Sequence, residues 1–169
     1  MVLRSSLIVI AVCSLFARAA SSEAQRFSTT SNESRLRPAT LQELAMARKA
    51  TAKYHDVSAA EADGYVDIGL YLSGEGYHWV KSSLIDGTFD PSQPEVLLYA
   101  PVSGENRLEL VGVEYLVPLN LSPNPPSGFT GDEDVWRMDS EGFGFWEVNA
   151  WIWLHNPEGI FGHDNPRVP

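Results

Sequence analysis

The run from Leu108 to Val117 constrains the fold more than any other segment. Under strand alternation, Leu108, Leu110, Gly112, Glu114 and Leu116 share one face, and Val111, Val113, Tyr115 and Val117 share the other. Both faces are apolar, so this strand has to be covered on both sides. The segments around it supply the covering. Thr40 stands three residues before Glu43, the spacing of a capping box, and Leu41, Leu44, Ala47, Thr51 and Tyr54 recur at helical spacing. This pattern predicts a helix over about 41–54. Ser58 with Glu61 opens a short second helix, which Gly64 is placed to end.

From Tyr65 onward the pattern changes to strands and turns. Strands are expected within Tyr77–Ile85, at Glu95–Tyr99 between two prolines, at Leu108–Val117 after a Ser103-Gly104 turn, and at Phe143–Leu154. Helices first, then strands with short connections, predict an α+β domain: an N-terminal helix and a short second one packed on a mainly antiparallel sheet. Pro118 to Gly142 carries four prolines and the acidic triplet Asp132, Glu133 and Asp134. A structureless stretch of that length inside a domain is usually functional or mobile. The triplet does not continue into an EF-hand spacing.

Glu114 is the residue that asks for an explanation. An ionised carboxylate on an apolar strand is costly unless it is paired or bound to a cation. One reading is a structural ion pair with Arg107 or Arg137, or a place near the strand end; the other is a ligand or general base facing a pocket. His78 is the natural partner in the second reading, set in Gly74-Glu75-Gly76-Tyr77-His78-Trp79 between aromatics and beside a glycine bend. Its imidazole suits a metal ligand, a proton shuttle or a buried hydrogen bond. Strict alternation along the last strand places Asn149, Trp151, Trp153 and His155 on one face, with Val148, Ala150, Ile152 and Leu154 on a core face.

These residues give the candidate site: His78, Glu114, Asn149 and Trp151 lining a pocket for a small molecule, between the sheet and the 118–142 loop. His78 and Glu114 are the candidate ligands for a divalent metal. The competing expectations are a hydrolase or lyase, with Glu114 as general base and His78 as acid or electrophile, and a structural envelope-associated protein whose polar residues only satisfy one another. His55, His155 and His163 carry no specific signal. No serine-hydrolase elbow, zincin motif or phosphate loop is present.

The N-terminus points to export. Arg4 precedes an apolar stretch from Leu7 to Ala17, and small residues follow, the order of a secretory signal. The stretch is shorter than the roughly 20 residues a spanning helix needs. The expected organisation is a signal peptide over 1–24, a disordered leader over 25–38 and one α+β domain over 39–169, secreted or periplasmic, with no integral membrane segment after cleavage. Cys13 is the only cysteine and lies inside the signal, so no disulfide is expected in the domain. Val12 before it, and Leu15, Phe16 and Ala17 after it, argue against a lipid anchor there. The formal charge of −10 argues against nucleic acid or anionic lipid as partners, since both require cations on the protein.

Several short motifs taken together resemble a family of small exported bacterial proteins. They are Tyr54-His55-Asp56, Ala62-Asp63-Gly64-Tyr65, Gly76-Tyr77-His78, Pro94 to Tyr99, Val111 to Tyr115, Trp151-Ile152-Trp153, Asn156-Pro157-Glu158-Gly159 and Asn165-Pro166-Arg167-Val168. The resemblance covers the domain from first helix to tail. It implies a shared fold and export, and no particular activity. It also implies a histidine where this chain has Asn149, and cysteines, one at the Pro169 position, that this chain lacks. A family metal site of two histidines and a carboxylate is therefore weakened here, because an amide oxygen is a poorer ligand than imidazole for zinc or copper.

Overall fold

A computed structural model describes residues 36–102 and 107–169. The expected signal peptide, all but the last residues of the leader, and the Ser103-Gly104 turn lie outside the described residues. Helix α1 runs Pro38–Thr51 and continues as a 3-10 turn over Ala52–His55; α2 is Val57–Ala62. The strands are β1 Val66–Leu72, β2 Gly76–Val80, β3 Val96–Ala100, β4 Glu109–Pro118, β5 Arg137–Met138 and β6 Phe145–Ala150. They form one six-stranded sheet in the order β1-β2-β3-β4-β6-β5, with every neighbour antiparallel. The α+β architecture is as expected, and β4 lies inside the sheet between β3 and β6.

The starts of both helices differ from the sequence reading. Pro38 already occupies the first turn of α1, where its missing N–H costs nothing. Thr40 and Glu43 are thus inside the helix and form no capping box. Both instead hold the long loop: the Thr40 hydroxyl donates to the Thr130 carbonyl, and Glu43 accepts from the Thr130 N–H and hydroxyl, each at 2.7 Å. For α2 the cap is Asp56 rather than Ser58, its Oδ1 accepting from the Ser58 N–H at 3.0 Å. On α1, Leu44, Ala47 and Thr51 are buried as the period requires, whereas Leu41 is half exposed.

One face of the sheet carries the main core. Leu97 and Tyr99 of β3, Val113, Tyr115 and Val117 of β4, and Val148 and Ala150 of β6 meet Leu44, Ala47, Tyr54 and Ala60 from the helical segments. Phe89, Phe129 and Trp136 extend this layer, with Phe89 edge-on to the other two and to Tyr115. The stretch 118–142 is therefore not structureless: its first part is packed into the core through Phe129 and Trp136, and it contributes β5.

Two phase changes correct the alternation argument. The register between β3 and β4 slips after the Leu98–Gly112 pair, so that Tyr99 faces Leu110 and Val111 is the extra residue of a β-bulge. Leu110 consequently joins the main core, and Val111 joins the opposite side with Val96, Leu98, Leu116 and Trp151. The Val111 carbonyl accepts from the N–H groups of Trp153 and Leu154. The chain after Ala150 is thereby drawn across β4 in turns, so the last strand ends at Ala150 rather than Leu154. Trp151 stays on the side of Asn149, while Trp153 crosses over and donates to the Thr51 hydroxyl at 3.1 Å, with His55 against its ring. The expected common face of Asn149, Trp151, Trp153 and His155 does not exist.

Candidate functional site

The second face of the sheet differs from the first in that its centre is ionisable. Cross-strand register places His78 beside Leu98, Leu98 beside Gly112, Glu114 between Val96 and Asn149, and Leu116 beside Glu147. Paired residues point to the same side. His78, Glu114, Glu147 and Asn149 thus share one face, and all four are buried. Glu75, in the turn that precedes β2, is buried next to them.

The turn owes its shape to Gly76. Its φ is +94°, and a Cβ there would stand 2.4 Å from the Tyr99 carbonyl oxygen, so only glycine fits. The same bend aims the Gly76 carbonyl at His78, whose Nδ1 lies 3.2 Å from it. A carbonyl only accepts, so Nδ1 carries the proton and Nε2 faces the carboxylates. From Nε2 the distances are 3.5 Å to Glu75 Oε2 and 3.7 Å to Glu114 Oε2. These three side chains can hold a metal ion.

Neither arginine expected as a possible partner reaches Glu114. Arg137 and Arg107 are exposed, and the ion-pair contacts of Glu75, Glu114 and Glu147 among the described residues are all with imidazoles. Burial pushes the Glu114 carboxyl well above its ordinary range, helped by the charges of Glu147 and Glu75. Glu147 is raised too, by burial and then by Glu75, Glu141 and Asp139. The two side chains act on each other, which raises Glu114 further and lowers Glu147. Burial also acts to raise Glu75, but the His78 contact, the charges of His163 and His78, and the Asn149 amide outweigh it and hold Glu75 below the usual value.

The groups open on a cavity of about 200 Å³. Ile68 and Leu72 of β1, Ile85 and Phe143 form apolar walls, and Asp139 and Glu141 stand at the rim. Of the long loop, only this last portion reaches the pocket. Of the four expected lining residues, His78 and Glu114 do line it. Asn149 and Trp151 are buried on the same side but turn their polar atoms to the C-terminal tail. Asn149 Nδ2 donates to the His163 carbonyl at 2.9 Å and approaches Glu75 Oε2 at 3.5 Å, and Trp151 Nε1 donates to the Gly162 carbonyl at 2.6 Å. Trp151 also lies against Gly112, where an added Cβ would stand 3.1 Å from its ring.

Three members of the site escaped sequence reasoning: Glu75, Glu147 and His163. Glu147 was recoverable, since it lies two residues before Asn149 and shares its face. Glu75 sits between two glycines, where period-2 reasoning gives no direction. His163 carries no local signal, because the tail is placed by remote contacts: Asn165 N–H donates to the Gly74 carbonyl at 2.8 Å, and the Asn156 amide donates to the Asp164 carbonyl at 2.8 Å. The acidic triplet plays another role. Asp134 caps the Phe129 N–H at 2.8 Å and Asp132 meets Arg37, both away from the pocket.

The fold and site together define an α+β protein with a buried carboxylate–imidazole cluster at the foot of an apolar-walled cavity. No family model, curated protein or solved structure matches the chain. Among the described residues, no helix is long and apolar enough to cross a membrane.

Proposed function

We propose that this is an exported binding module for a first-row divalent cation, held by His78 Nε2, Glu75 and Glu114. The observation that carries the reading is the orientation of His78: its Nδ1–H is committed to the Gly76 carbonyl, and its Nε2 meets two buried carboxylate oxygens at 3.5 and 3.7 Å. Such separations are too long for good hydrogen bonds. They suit a cation seated between the atoms, since ligands about 2.1 Å from a tetrahedral centre stand about 3.4 Å apart. A backbone acceptor on the far ring nitrogen is the usual device for fixing a ligand histidine.

Two further features support the same reading. Among the described residues Asn149 Oδ1 is buried without a hydrogen-bond partner, an acceptor beside the cluster that an electropositive neighbour or its water shell would satisfy. Among the described residues the negative side chains of the cluster have no lysine or arginine contact, so cation binding relieves the repulsion that pushes the Glu114 carboxyl up. An imidazole with carboxylates and no thiolate favours a borderline transition ion such as Zn²⁺ over calcium or magnesium. Asn149 is then a positioning residue that ties Glu75 to the tail, not a replacement for a ligand histidine. Export is the reading of the Arg4 to Ala24 segment, and the apolar walls suit a small molecule bound against the ion.

Metal analysis of protein purified without chelator tests the reading. At least one equivalent of transition metal per chain is expected, reduced at least tenfold by His78→Ala. Substoichiometric metal that His78→Ala leaves unchanged would remove it.

A further inference from the structure

His163 stands on the other side of Glu75 and repeats the arrangement of His78. Its Nε2 lies 3.6 Å from Glu75 Oε1, the oxygen that His78 does not face. Its other nitrogen, Nδ1, is 3.8 Å from Glu147 Oε1. The Asp164 carboxylate completes a second set, and its ligand oxygen, one from Glu75 and one nitrogen of His163 all lie within 4.8 Å of one another. We infer that the cluster holds two divalent cations bridged by the Glu75 carboxylate, the first on His78 and Glu114 and the second on His163 and Asp164. This inference rests on the single-cation reading above and extends it.

The two histidines are paired in orientation about Glu75. Two imidazoles from different parts of the chain address opposite oxygens of one buried carboxylate. On its far side His78 has the Gly76 carbonyl at 3.2 Å, and behind His163 stands the Glu147 carboxylate at 3.8 Å, a charge neighbour beyond hydrogen-bond reach. Carboxylates that present one oxygen to each of two ions are the ordinary bridge of two-metal sites, whose ions stand about 3.5–4 Å apart. The tail that carries His163 is fastened where it must be: the Asn149 amide holds the His163 carbonyl and also approaches the bridging Glu75. The unpartnered Asn149 Oδ1 is a second buried acceptor at this junction. His163 is only a quarter exposed, whereas Asp164 lies at the surface, so the second ion is the more accessible and exchanges faster.

Calorimetric and visible-absorption titration of the full chain with Co²⁺ alone tests the assignment. Wild type is expected to bind two equivalents, the second at least tenfold more weakly than the first. His163→Ala is expected to bind one, and Asp164→Asn to weaken the second step tenfold or more while melting like wild type in chelator. One equivalent in wild type, or two in His163→Ala, or a second step that ignores Asp164→Asn, would overturn the two-ion site. One equivalent that still depends on His78 would leave the single-cation reading standing, whereas none would remove both.

Discussion

The two faces of the central sheet use the same strands for opposite purposes. On the helical face, Leu97, Tyr99, Val113, Tyr115 and Val117 are almost fully buried against the helices and an aromatic layer. On the other face of the same sheet stand His78, Glu114, Glu147 and Asn149. Burial on the first face stabilises at about 25 cal/mol per Å² of apolar surface removed from water. Burial on the second face costs free energy, because carboxylates lose their hydration and, among the described residues, meet imidazoles, the Asn149 amide and each other rather than a lysine or arginine. The difference teaches that stability comes from the helical face and that the same sheet tolerates a costly ionisable cluster on the other.

The sharpest way to break this comparison is to damage the helical face. Leu97→Ala should cost about 2–5 kcal/mol, the range for a leucine truncated in a closed core. Urea denaturation would measure it, and a loss under about 1 kcal/mol would mean that this face is not the main source of stability. A smaller effect of opposite sign is expected on the other face. Glu114→Gln keeps a donor toward Glu147 but cannot ionise. In chelator at pH 8 it should leave stability unchanged or raise it by about 1 kcal/mol, while cation binding falls at least tenfold. A destabilisation of several kcal/mol in chelator would show that the acid is a structural element instead.

The comparison is sharpened further through pH. Glu95 belongs to the helical side, where its carboxylate accepts from the Leu116 N–H at 3.1 Å. Burial raises it from the usual 4.5 to about 8, against the lowering effect of the backbone N–H groups. A carboxyl whose folded value is raised contributes stability that is full below pH 4.5 and is lost as pH rises through about 8. Melting curves in chelator should therefore fall between pH 5 and 8 in wild type and fall less in Glu95→Gln. Equal slopes would contradict the assignment.

Much of the helical face was legible in the sequence, because apolar periodicity and local turn residues determine it. The α1 period picked out Leu44, Ala47 and Thr51, and the doubly apolar run marked β4 as interior. Alternation failed at the Val111 bulge and again after Ala150, since an inserted residue changes phase without any local sign. The site was half legible. Glu114 and His78 stood out because a charge and an imidazole sit in apolar strands, whereas Glu75 and His163 acquire their roles from a glycine bend and a tail fastened by distant backbone contacts. Such long-range placement has no signature in a residue's neighbours along the chain.

The cation site requires that Nε2 of His78 face the acids, and long-range ¹H–¹⁵N NMR of the imidazole reads that directly. The expected spectrum in chelator shows a proton on Nδ1, the nitrogen that faces the Gly76 carbonyl, and one equivalent of Zn²⁺ shifts the Nε2 resonance while the Nδ1 proton is retained. A ring protonated at Nε2, and indifferent to Zn²⁺, would contradict the cation site at its foundation.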